Sequence, residues 1–153
     1  MNQIISFRPE LAGHFRDLNL EWLEKYFYVE DHDKELLENC QQVIIEPGGY
    51  IFFYQEGDDI LGTFALIPLG GSVYELGKMA VKESARGKGI GQKMMNFCLE
   101  FAKKSHWSNL LLYSNRSLEN SIHIYRKYGF QEVEIEKDNP YARGNIKMEL
   151  KLI

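Results

Sequence analysis

Six consecutive residues, Arg86-Gly87-Lys88-Gly89-Ile90-Gly91, carry the strongest chemical signal in the sequence. A β-rich run precedes them and a run of helical period follows, so strand, glycine-rich turn and helix start come in succession. The first amides of a helix have no internal acceptor and sit at the positive end of its dipole. Glycine at positions 87, 89 and 91 lets an anion approach those amides, and Arg86 and Lys88 add full charges. The chemistry that fits is pyrophosphate binding. Two other phosphate fingerprints fail on the same residues. A P-loop needs Ser or Thr after its Gly-Lys pair, where Gly89 stands; a dinucleotide fold needs glycine three positions beyond Gly89, where Gln92 stands.

The pattern Arg-x-x-Gly-x-Gly, after a strand ending Met79-Ala80-Val81, resembles the acetyl-CoA motif of the GNAT superfamily of N-acetyltransferases. Ile124-Tyr125-Arg126-Lys127-Tyr128-Gly129-Phe130 is similar to that family's Leu-Tyr-x-x-x-Gly-Phe signature, on the matching helix-to-strand transition. In specific residues the resemblance covers about 73 to 130; in order of elements it extends from roughly Met1 to Leu152. It implies a GNAT-like acyl-CoA N-acyltransferase fold, acetyl-CoA as cosubstrate and no metal. The backbone of Met79, Ala80 and Val81 would bind the pantetheine arm. Gly87, Lys88, Gly89, Ile90 and Gly91 would hold the pyrophosphate, with Gln92 in the first helical turn and Arg86 at the rim.

The same resemblance suggests Tyr125 as the acid that protonates the departing thiolate, since a phenol with an ordinary pKa of about 10 stays protonated at neutral pH. The alternative is a core tyrosine at helical spacing from Ile122 and Tyr128. Glu75, four residues before Met79, matches a position where some family members keep a glutamate that deprotonates the amine. A glutamate on an apolar strand is costly unless paired or functional, so structural pairing and catalysis both stay open. Other members carry a carboxylate on the next strand, where Tyr113 stands here, and an asparagine seven residues before the tyrosine, where Leu118 stands. Asn115 and Asn120 flank that position and either could supply the amide to the coenzyme; Asn115, at the end of that strand, is the candidate, and Asn120 reads as easily as a helix-surface residue.

The acceptor pocket is expected from the N-terminal helices and the last hairpin. Trp22 and Tyr26, beside Phe27 and Tyr28, offer aromatic surface, and the acidic run Glu30, Asp31, His32, Asp33 reads as a solvated loop rather than a magnet for ammonium. Tyr141 and Arg143 precede the final strand, and the planar fork of Arg143 could take an acceptor carboxylate, which would make the acceptor amino-acid-like. His14, His106 and His123 read as surface or helix residues.

These residues must be positioned by elements whose periodicity is legible. A helix is expected from Pro9 to about Phe27, with Leu11, Phe15, Leu18, Trp22 and Tyr26 on one stripe, and a short helix from Lys34 to Cys40. Val43 to Ile45, Tyr50 to Gln55, Ile60 to Ile67 and Val73 to Val81 read as an antiparallel meander. A surface helix follows Gly89, then a buried strand at Leu110 to Tyr113, a helix from Leu118 to Tyr128 capped by Gly129, and strands at Phe130 to Glu136 and Asn145 to Leu152. The fold class is α/β, an α+β mixed sandwich: one mixed, mostly antiparallel sheet with helices on both faces.

Bulk properties narrow the function classes. With 153 residues, 44% hydrophobic and 26% charged, the chain suits a single domain over 1–153. A net charge of -4 argues against a general nucleic-acid surface. Cys40 and Cys98 stand far apart with no metal-ligand spacing, which points to packed thiols in a reducing compartment, and no run approaches the roughly 18 apolar residues of a membrane span. The expected location is cytoplasmic, with no membrane or nucleic-acid partner; whether the chain forms a homodimer is open. The leading function is acetyl transfer from acetyl-CoA to a primary amine of a small molecule, amino-acid-like if Arg143 binds a carboxylate. The alternatives are acetylation of a protein or peptide amine and a non-catalytic acyl-CoA sensor.

Overall fold

A computed structural model describes residues 2–139 and 141–153. Strand β1 (Asn2–Ser6) precedes a single 3-10 turn at Pro9–Leu11 that runs directly into helix α1 (Ala12–Tyr26). Helix α2 (Asp31–Glu38) follows, then strands β2 (Tyr50–Glu56), β3 (Asp59–Gly70) and β4 (Val73–Val81). Helix α3 (Ile90–Lys104), strand β5 (Asn109–Ser114), helix α4 (Glu119–Lys127) and strands β6 (Gln131–Val133) and β7 (Ile146–Lys151) complete the order.

The strands form one sheet in the order β1-β2-β3-β4-β5-β7-β6. Among the described residues only β4 and β5 pair in parallel; the other neighbours are antiparallel. Alternation along the strands sends side chains to two cores. Phe53, Ala65 and Ala80 join Phe15, Leu23 and Leu37 beneath α1 and α2, while Phe52, Phe64 and Leu112 join Met94, Cys98 and Ala102 beneath α3. The expected mixed sandwich with helices on both faces is therefore present.

Three expectations need correction. Val43 to Ile45 is not a strand: Gln41–Ile45 makes a single π-helical turn. The β-branched run suggested β structure, but Ile44 is fully buried, and Gly49 approaches so closely that a Cβ there would lie 2.5 Å from the Ile44 carbonyl. Tertiary packing has overridden local propensity. Strand β1 has no counterpart in the periodicity reading; Asn2–Ser6 is an edge strand paired with β2 alone. The strand expected over Phe130 to Glu136 shortens to Gln131–Val133.

Candidate active site

Two irregularities of β4 build the site. The first is a splay. β4 pairs with β5 only from Val73 to Glu75, opposite Asn109 to Leu111. Beyond Glu75, β4 stays with β3 and β5 stays with β7, so the two strands diverge. A cavity of about 190 Å³ occupies the gap, bordered by Gly77, Lys78 and Met79 on one side and Leu112, Tyr113 and Ser114 on the other. Sheet backbone facing such a gap has no strand to bond, which makes it available to a ligand.

The second is a β-bulge. Thr63 faces Ala80 and Ala65 faces Gly77, leaving Lys78 and Met79 opposite Phe64 alone. Lys78 adopts φ 52, the left-handed region that a side chain seldom enters. The extra residue reverses the alternation: Leu76 and Ala80, which a regular strand would put on one face, lie in opposite cores. Lys78 thereby joins Glu75 on the face covered by α1 and α2, whereas regular spacing would have set them apart.

Glu75 is buried, at 6% exposure, and borders the cavity. The Tyr141 hydroxyl donates to its Oε2 at 3.3 Å. Gly77 leaves it room, since a Cβ there would stand 3.3 Å from the same oxygen. Burial drives its pKa up to about 7, with Lys78 and Tyr141 pulling the other way.

Lys78 and Arg143 both converge on Asp33, whose side chain is fully buried. Arg143 holds it through a two-pronged pair, Nη1 to Oδ2 at 2.6 Å and Nη2 to Oδ1 at 2.8 Å. Nη1 also reaches Glu30 Oε2 at 2.8 Å, and the Glu30 amide donates to Asp33 Oδ2 at 2.9 Å. Burial alone would raise Asp33, but Arg143 and Lys78 outweigh it and hold the carboxyl at about 2. Burial lowers Lys78 in turn, with Asp33 opposing. The acidic run after α1 is thus not a solvated loop, and the Arg143 fork expected to meet an acceptor carboxylate is occupied by the protein's own. Their sequence separation, 110 residues for Arg143 and Asp33, hid the pairing.

Tyr125, on α4, reaches the same cavity and packs edge-on to Phe130 with ring centroids 6.0 Å apart. Burial raises its pKa. Trp22 borders the cavity beside Phe27; Tyr26 does not, being 46% exposed and bonded to Arg86. Asn115 borders it too, yet its amide is engaged within the loop, Nδ2 donating to the Arg143 carbonyl at 2.6 Å and Oδ1 accepting from the Ser117 amide at 2.9 Å. Tyr113 hydrogen-bonds Glu136, so a carboxylate does stand near the position where the sequence offers a phenol. Nothing in strand periodicity pointed to Glu136.

At the far end of β4, Gly87 and Gly89 take φ 82 and 79. A Cβ at Gly87, Gly89 or Gly91 would meet no atom within 4 Å, so this surface is open. Gly89 caps α3, its carbonyl accepting from Lys93, which leaves the amides of Ile90, Gly91 and Gln92 ahead of the helical ladder. Arg86 folds inward rather than lying free at the rim: Nε donates to the Val81 carbonyl at 3.1 Å and Nη1 to the Tyr26 hydroxyl at 3.1 Å. Its Nη2 is buried without a partner among the described residues. The last turns of α1 brace the loop further, Glu21 accepting from the Glu83 amide at 2.9 Å and Lys25 pairing with Glu83. Met79 borders the cavity, while Ala80 and Val81 continue β4 toward the glycine turn.

A sheet parted between two parallel strands, with a glycine turn and helix start at one end of the parted strand, defines the acyl-CoA N-acyltransferase class. The chain belongs to the acetyltransferase (GNAT) family, whose model matches residues 17–130. It is 29% identical over 82 residues to an uncharacterized N-acetyltransferase of Bacillus subtilis, YvbK, the match covering 54% of this chain and 53% of that protein. The chain thus spans about half the length of that relative. A GNAT-family acetyltransferase of Staphylococcus aureus Mu50 superposes with a TM-score of 0.88 at 20% identity, with both chains fully covered. A Bacillus subtilis acetyltransferase in complex with CoA gives a TM-score of 0.75 at 20% identity, again over the whole of both chains. No helix among the described residues is long and apolar enough to cross a membrane.

Proposed function

We propose that the chain transfers an acetyl group from acetyl-CoA to the primary amine of a small molecule, by direct attack while both substrates are bound. The observation that carries this reading is one continuous path. The open glycine turn and free α3 amides lead along β4 into the splay, and the splay ends at a buried carboxylate and a phenol. A pyrophosphate on the amides of Gly87 to Gly91, with Lys88 and Gln92 alongside, would direct the pantetheine along Met79, Ala80 and Val81. The CoA complex of the Bacillus subtilis neighbour supports the ligand class. Asn115 would border the arm at the end of β5.

The chemistry follows from the two ionisable groups. An ammonium entering the cavity gives one proton to Glu75, whose pKa of about 7 suits a base at neutral pH. The neutral amine forms the new C–N bond as the C–S bond breaks. Tyr125 gives its proton to sulfur, and the nitrogen's second proton restores the phenol. The net products are the amide, the free thiol of CoA and one proton, which Glu75 returns to solvent. No metal takes part in any step.

Free-thiol release from acetyl-CoA across a panel of small amines tests the reading. Thiol release dependent on an amine, absent in Tyr125→Phe with CoA affinity retained, is the expected result. CoA binding without turnover on any amine would contradict it.

A further inference from the structure

Among the described residues three charged side chains border the cavity: Glu75, Lys78 and Arg143. Both cations are already matched. Arg143 gives Nη1 and Nη2 to Asp33 and Nη1 also to Glu30, while Lys78 pairs with the same Asp33. The side chains of Lys78 and Asp33 are 4% and 0% exposed, and that of Arg143 is 14% exposed, so the pairs are largely withdrawn from water. A ligand carboxylate reaching the remaining donors of either cation would have to share a charge that desolvated protein carboxylates already match, and so would gain little to offset its own loss of water.

Glu30 and Asp33 match the two cations, and Glu75, which lies in none of these ion pairs, adds a negative charge whenever it is ionised. Its Oε2 accepts from Tyr141, and its Oε1 has no partner among the described residues. The same cavity is lined by Trp22, Leu23, Phe27, Tyr113 and Tyr141, aromatic faces and aliphatic surface that favour a cation on an apolar body. Beyond Tyr113, Glu136 adds further negative charge, partly answered by Lys147 at 2.9 Å.

We propose that the acceptor is a carboxylate-free primary amine on an alkyl or aromatic body, and that the Arg143–Asp33–Lys78 cluster determines specificity by turning amino acids away. This rests on the acetyltransferase reading above and names its substrate class. It also reverses the expectation drawn from the Arg143 fork, because the Nη1/Nη2 edge of that fork is engaged by Asp33. A free amino acid would bring its carboxylate against the ionised Glu75, the form in which the site accepts the amine proton, and against cations that Asp33 and Glu30 already match.

Matched pairs of acceptors test it, each sharing one body with and without the carboxylate: phenethylamine against phenylalanine and cadaverine against lysine, assayed by thiol release at saturating acetyl-CoA. The expected result is a kcat/KM at least roughly 100-fold higher for the carboxylate-free member of each pair, like-charge exclusion being the discriminating force. Asp33→Asn frees Arg143 and Lys78 and should shrink that ratio several-fold, whereas a purely structural lesion would lower both rates alike. If Asp33→Asn does not fold, Glu30→Gln frees one Arg143 contact and the same ratio is read. Amino acids acetylated as fast as their decarboxylated partners, or a ratio unmoved in the variant that folds, would overturn the proposal. A lysine peptide outpacing both free classes would overturn it in favour of a protein substrate. Absence of amine-dependent thiol release from any acceptor, with CoA still bound, would instead bring down the acetyltransferase reading on which it stands.

Discussion

Glu75 carries opposing demands on catalysis and stability. Its pKa rises on folding, from the ordinary value of 4.5 to about 7, because burial disfavours the carboxylate. A carboxyl raised in the folded state favours the protonated form, so its penalty is absent below pH 4.5, grows as pH rises and is complete above pH 7. Glu75→Gln should therefore stabilise the protein at pH 8 by on the order of 1 to 3 kcal/mol and have little effect at pH 4, as read by urea unfolding. The same substitution should lower kcat/KM by roughly 100-fold or more and remove the rise in rate through pH 7, with CoA affinity retained. Loss of stability together with loss of activity would mark Glu75 as a structural partner only. Tyr141→Phe removes the hydroxyl that favours the ionised form, so the rising limb of the pH–rate profile should move upward.

At the scale of elements, the β4 bulge and the Asp33 cluster tie together parts of the chain remote in sequence: α2, β4 and the segment before β7. Asp33→Ala would leave two buried cations without their shared anion, and a loss of about 3 to 5 kcal/mol is expected in urea unfolding. Because the pairs hold Asp33 at about 2, its contribution is fully present above the ordinary value of 3.8 and is lost as pH falls through about 2. Acid unfolding of the wild type should therefore steepen toward that limit, and the feature should be missing from Asp33→Ala. These couplings mark where sequence reading stops. The strand, glycine turn and helix over 73 to 104 were legible because each rests on short-range signals: β-rich alternation, positive φ at glycine, and a 3.6-residue stripe. The bulge was not, since a non-glycine residue at φ 52 has no local signature. Nor was the spent fork of Arg143, because charge pairing across 110 residues leaves no periodic trace. The run Val43 to Ile45 misled for the converse reason: its β propensity is real, but the contacts made by Ile44 and Gly49 decide its conformation.

At the scale of the molecule, two hydrophobic cores clamp the sheet from opposite sides, and the splay between β4 and β5 can persist because β3 and β7 each hold one of the parted strands. That arrangement gives the proposed coenzyme a rigid track from the α3 N-terminus to Glu75 and Tyr125, a distribution of labour in which remote binding energy fixes the thioester beside the reacting groups. Pyrophosphate capture at the glycine turn is the step on which the rest depends. Gly89 is its most sensitive point: a side chain there would be strained at φ 79, its Cβ would clash with nothing within 4 Å, and a carboxylate on it would repel the phosphates. Isothermal calorimetry of CoA with wild type and Gly89→Glu measures this directly. One CoA should bind per chain in the wild type, with affinity reduced by about 100-fold or more in the variant, equivalent to about 2.7 kcal/mol, and the fold intact by circular dichroism. Wild-type protein without measurable affinity for CoA, or a variant that binds it equally well, would rule out pyrophosphate capture at the glycine turn.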